Sequence, residues 1–102
     1  MAEHVSFFTG KAQAGKRQAV LDQMAKWERE QKSKAKGFRG SVMGFSNDEP
    51  DAFMGCVRWD STENYRANSS RPEQDAWYQE MRANLAGDMD WFDATLGRET
   101  KP

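Results

Sequence analysis

The stretch Val57-Arg58-Trp59-Asp60-Ser61 decides how this chain reads. It closes an apolar alternating run, with Phe53, Gly55, Val57 and Trp59 on one face and Met54, Cys56 and Arg58 on the other. It also opens a helix. Asp60 or Ser61 is placed to accept the unpaired N–H groups of a first turn, and Glu63 has the spacing of a capping partner. A tryptophan at such a junction projects a large ring from the end of a sheet, where pockets open. The same ring also suits an ordinary core, since large aromatics are mostly buried for packing.

Working outward, Phe38 to Phe45 alternates Phe38, Gly40, Val42 and Gly44 against Arg39, Ser41, Met43 and Phe45. The turn-rich segment 46–51 makes these two runs a hairpin. Upstream, His4 to Gly10 reads as a first strand. From Lys16 to about Lys34 the apolar residues recur at helical spacing, with Val20, Met24 and Trp27 in a stripe that Leu21 widens. Gly37 stops that helix as a left-handed glycine would. Downstream, a short helix carries Tyr65 and ends near Asn68-Ser69. A second helix restarts at Ser70-Arg71-Pro72-Glu73 with capping-box spacing, buries Trp77, Met81 and Leu85, and ends at Gly87. Asp88 to Arg98 reads as the last strand.

The order β-α-β-β-α-β predicts an α+β, ferredoxin-like fold: a four-stranded antiparallel sheet with helices on one face. The 102 residues fit a single domain, with its core over about 4–98. Both faces of the strands carry large apolar groups, and helices cover only one of them. A second copy is the natural cover for the other, so a homodimer is expected.

A formal charge of −1 gives no nucleic-acid footprint. Lys26, Arg29, Lys32, Lys34 and Lys36 alternate with Glu28 and Glu30 as on a solvated helix face. Met1-Ala2-Glu3-His4 is not the start of a signal peptide, and no apolar run approaches the ~18 residues of a membrane span. Cys56 is the only cysteine and reads as a small buried hydrophobe. A cytoplasmic protein without membrane or nucleic-acid partners is expected. There is no metal-ligand cluster, nucleophile–base pair or glycine-rich phosphate loop.

In this ordered set the chain resembles the antibiotic biosynthesis monooxygenase family of small dimeric α+β barrels. The resemblance runs from about His4 to Leu96. It rests on Gly15-Lys16, Gly37-Phe38-Arg39-Gly40, Val57-Arg58-Trp59-Asp60-Ser61 and Trp91-Phe92-Asp93. It implies a dimer whose sheets face each other, with a pocket between sheet and helices in each subunit. Activities in the family include cofactor-free oxygenation of polycyclic phenols to quinones, and haem degradation. The haem-degrading branch uses an Asn on the first strand, a Trp ending the third and a His on the last helix. Here Trp59 matches, but Phe8 falls at or near the Asn position and Trp77 or Tyr78 at the His position. Haem chemistry is therefore not expected.

Cofactor-free oxygenation needs a dry aromatic slot, a base and a donor for the developing oxyanion. Phe8, Trp59, Trp77, Tyr78 and Met81 are the candidate substrate-binding residues, though each also suits an ordinary core. His4 and Tyr65 are the candidate catalytic groups. His4 alone has an unperturbed pKa suited to proton transfer near neutrality, although a lone histidine near a terminus is commonly a solvated bystander. Asp60 reads as a helix cap and Asp93 as a weaker base. The expected substrate is a small aromatic or quinol, with O2 and no cofactor. The competing expectation is a non-catalytic ligand-binding or structural dimer of the same fold.

Overall fold

The computed structural model describes residues 2–102. The elements are β1 (His4–Lys11), α1 (Arg17–Glu30), a 3-10 turn (Lys32–Lys34), β2 (Phe38–Phe45), β3 (Ala52–Trp59), α2 (Thr62–Ser69), α3 (Pro72–Arg82) and β4 (Asp90–Thr95). The sheet runs β2-β3-β1-β4, with every neighbouring pair antiparallel. This is the ferredoxin-like arrangement that the alternating runs predict. No described helix is long and apolar enough to cross a membrane.

Pairing sorts the strand residues into two faces. His4 lies opposite Trp59, Ser6 opposite Val57 and Phe8 opposite Gly55, so these six share the face toward the helices. Phe8 packs across the glycine: a Cβ on Gly55 would collide with the Phe8 ring and the Met43 side chain. Phe8, Ala12, Val20, Phe53, Met81, Leu85 and Met89 form the buried core. The reciprocal bonds Trp77 Nε1–H to the Gln23 carbonyl (2.8 Å) and Gln23 Nε2–H to the Trp77 carbonyl (3.1 Å) tie α1 to α3. Residues Phe7, Val42, Met54 and Phe92 fall on the opposite face and stay exposed, at 45, 67, 63 and 69 %. Arg58 lies on that face too, paired with Glu3 and Glu99 at 2.7 Å each.

Several local readings change. Helix α1 ends at Glu30, and a separate 3-10 turn lies between it and Gly37, while β4 covers only Asp90–Thr95 of the stretch 88–98. A register shift between Phe38 and Gly40, where Gly40 has φ 131°, inserts Arg39 as an extra residue. Phe38 therefore pairs with Trp59 on the helix face, and is not on the Val42 face that strict alternation gives it. Leu21 is 40 % exposed and lies outside the α1 stripe. Ser70 does not cap α3: its hydroxyl donates to the Arg66 carbonyl and closes α2, and Arg71 is the N-cap residue. Helix α3 ends at Arg82, ahead of Gly87, and Leu85 forms a bridge with Ala12. Cys56 is half-buried on the open face. Pro72 does occupy the first turn of α3, where its missing N–H costs nothing.

Candidate active site

The junction after β3 is built from short-range chemistry. Ser61 caps α2 by accepting the Asn64 backbone N–H at 3.1 Å, and Asp60 accepts the Asn64 side-chain N–H at 2.7 Å. That second bond holds the Asp60 carboxyl below the usual range. Gly37 closes against this corner. It has φ 84°, and a Cβ there would run into Asp60 and Asn64. Its carbonyl accepts the Asp60 N–H at 2.8 Å. The corner fixes where Trp59 leaves the sheet and where α2 begins.

Above Trp59 lies a cavity of about 360 Å³ between the sheet and the three helices. The sheet contributes Phe8, Met43, Val57, Trp59 and Trp91. Met24 and Trp27 come from α1, Tyr65 and Asn68 from α2, and Gln74, Trp77, Tyr78 and Met81 from α3. Its size is at the small end of ligand sites, which run roughly 300–1,000 Å³. All five substrate-binding candidates, Phe8, Trp59, Trp77, Tyr78 and Met81, therefore line one space. Trp59 is buried, edge-to-face with Phe38 (5.6 Å between centroids) and with Tyr65 (6.2 Å). Its indole N–H has no acceptor among the described residues.

The two catalytic candidates stack on each other. The rings of His4 and Tyr65 are 4.2 Å apart and inclined by 14°. Tyr65 lines the cavity, whereas His4 lies behind it and does not. Nor is His4 a solvated bystander, being only 2 % exposed because β1 is a central strand and α2 covers its start. Its Nε2 is 2.7 Å from Ser6 Oγ, which in turn donates to Asp93 Oδ1 at 2.7 Å. Its Nδ1 is 3.0 Å from Thr62 Oγ1.

A carboxylate only accepts, so the single Ser6 proton goes to Asp93. His4 Nε2 must then carry a proton and donate to Ser6, and Nδ1 accepts from Thr62. The chain Thr62–His4–Ser6–Asp93 is thus satisfied with a neutral imidazole. Burial pushes the His4 pKa down, the Asp93 charge opposes that, and Arg66 adds to it. Burial likewise pushes the Tyr65 hydroxyl up, with Ser6 pulling it down and Asp93 raising it.

Asn68 and Gln74 are among the cavity residues that escaped the sequence reading. Asn68 is 7 % exposed, and its Oδ1 accepts Arg71 Nε–H at 3.1 Å. Gln74 Oε1 accepts Trp27 Nε1–H at 2.7 Å. In the sequence both sit in or beside the break between two helices and read as punctuation. That each lies three positions from Arg71 was the only local signal. Among the described residues, no cluster of three or more His, Cys, Asp or Glu stands ready to hold a metal ion.

Solved structures share this architecture over essentially the whole chain. One, from Bordetella bronchiseptica, is a provisionally assigned antibiotic biosynthesis monooxygenase with TM-score 0.81 at 14 % identity, covering 96 % of this chain and 100 % of its own. Another of that provisional assignment, from Chloroflexus aurantiacus, has TM-score 0.76 at 21 % identity and covers 98 % of both chains. The chain has the antibiotic biosynthesis monooxygenase fold. SnoaB, a cofactor-independent oxygenase from Streptomyces nogalater, shares that fold with TM-score 0.74 at 14 % identity, over 100 % of this chain and 99 % of its own. No family model and no curated protein sequence matches the chain.

Proposed function

We propose that the protein is a cofactor-independent monooxygenase that oxidises a small aromatic or quinol-type substrate with O2. The aromatic cavity lined by Trp59 carries this reading, and the shared fold with the cofactor-independent oxygenase SnoaB supports it. A flat electron-rich ring would stack among Phe8, Trp59, Trp77, Tyr78 and Met81, away from bulk water. Loss of a proton turns such a substrate into an anion that itself reduces O2. One oxygen atom enters the product as a carbonyl. The other leaves as water with two substrate hydrogens, so no external reductant is needed.

In this scheme Tyr65 touches the substrate, the proton passes from its hydroxyl by way of Ser6 to the Asp93 carboxylate, and the neutral His4, stacked behind Tyr65 and donating to Ser6, holds both in place. We propose further that the open face, with Phe7, Val42, Met54 and Phe92, is covered by a second copy, and that the dimer works in the cytoplasm. Sedimentation equilibrium at low micromolar concentration should then give twice the chain mass, and a stable monomer would overturn the dimer.

One observation favours a binding protein instead: neither His4 nor Asp93 lines the cavity, so no strong base faces it directly. An oxygen electrode separates the two readings. With anthrone or a hydroquinone, the monooxygenase should consume one O2 per substrate and place one atom of 18O in the product. Tight binding of the quinone without oxygen uptake would leave only the binding function.

A further inference from the structure

Most of the cavity wall is apolar, but its end at the α2–α3 junction carries two side-chain amides in an unusual state. Each has its carbonyl oxygen already taken by a group that can only donate. Arg71 Nε–H bonds Asn68 Oδ1, and Trp27 Nε1–H bonds Gln74 Oε1. Guanidinium and indole have no acceptor, so neither amide is free to flip. Arg71 is itself anchored, with its other nitrogens bonded to Glu73 and Gln31. Both amides therefore turn their NH2 groups away from these partners. Neither NH2 has a hydrogen-bond partner among the described residues.

Asn68 makes the stronger case. It is 93 % buried, yet its Nδ2 is not among the atoms sealed from solvent without a partner, and its open side is the cavity it lines. Keeping an unpaired amide NH2 among aromatic rings is costly unless something accepts from it. Gln74, half-buried on the next helix, supplies a second donor to the same end. The one carboxylate there, Asp75, is exposed and solvated.

We propose that Asn68 and Gln74 are specificity-determining residues: a pair of donor-only amides that holds the acceptor oxygens, carbonyl or phenolate, of an oxygenated aromatic ligand. This rests on the cavity being an aromatic-binding site and adds which aromatics it takes. Rings with oxygen at the edge that reaches the α2–α3 junction are accepted, and bare hydrocarbons are not. Fixing one such edge also fixes which part of the ring lies against Trp59.

The test uses isosteric charge variants. Asn68→Asp and Gln74→Glu keep an oxygen for Arg71 and for Trp27, so the fold and the anchoring bonds survive. Each replaces the NH2 donor by a carboxylate oxygen. Titrations by tryptophan fluorescence would compare 1,4-naphthoquinone with naphthalene. Wild type should prefer the quinone, and each variant should bind it about tenfold or more weakly while naphthalene binding changes by less than about twofold. The wild-type comparison needs no variant, so a folding failure does not shelter the proposal. Equal affinity for the two ligands, no binding of either, or quinone affinity untouched by both variants would overturn it. Oxygen uptake is read separately. Variants that behave as expected without oxygen consumption sink the monooxygenase reading alone, and uptake with insensitive variants sinks this one alone.

Discussion

The two faces of the sheet are cut from the same strands and are similarly apolar, yet they differ in kind. Toward the helices, Phe8 and Trp59 are 5 % and 3 % exposed, and polar groups are buried among them in bonded sets. Toward the open side, Phe7, Val42, Met54 and Phe92 stand in solvent, and the polar groups there include the ion-paired Arg58 and its partners. Apolar content therefore does not locate the site. What marks it is polar chemistry kept inside the apolar face at an energetic cost, because such groups survive burial only when satisfied or when reserved for a ligand.

The largest effect should come from truncating one phenylalanine on each face. Phe8→Ala empties a packed position and should cost about 3–5 kcal/mol in urea unfolding. Phe92→Ala should change the stability of an isolated chain by less than about 0.5 kcal/mol. If a second copy covers that face, Phe92→Ala will instead lower a concentration-dependent melting temperature. Equal costs at all concentrations would erase the contrast between faces.

A middle-sized effect is expected at Trp59. Trp59→Phe leaves a void but also removes a buried N–H that has no partner, so the two changes offset and the net cost should be about 1 kcal/mol or less. Affinity for a flat quinone should fall about tenfold. Calorimetry and fluorescence titration of the same samples would check both. Lost stability with unchanged affinity would return Trp59 to the role of core residue.

The smallest effect concerns His4. Its folded pKa is depressed, so folding excludes a proton that the unfolded chain binds below about 6.5. The stability it contributes is complete above that value and is lost as pH falls through the lower, folded pKa. In His4→Gln the pH dependence of the melting temperature over that acidic window should flatten. An unchanged slope would mean the imidazole is not held neutral.

Most of the fold was legible because it depends on alternation and punctuation, which are local. The face of Phe38 was not, since one bulge residue reverses a strand's parity, and Gly40 was its only trace. Ser70 had the right spacing to accept from the first turn of α3, but its hydroxyl donates back to the Arg66 carbonyl of α2. At the site, the aromatic wall was legible because large rings at strand ends and helical spacing converge. The state of its polar groups was not. His4 looked terminal and solvated until β1 proved to be central, and the Gln74 amide is oriented by Trp27, 47 positions away.

The central place of β1 has a kinetic consequence. Its partners are β3 and β4, and the Ser6–Asp93 bond joins residues 87 positions apart. A chain whose middle strand precedes both its neighbours closes long loops before those contacts are repaid, which slows folding. Until β4 docks, β1 has an unpaired edge, with Phe7 and Phe8 beside it. The helices and the β2–β3 hairpin can form early from nearby residues. The cavity floor and the His4 network are completed only when the last strand arrives, so a partly folded chain would have its helices before its site.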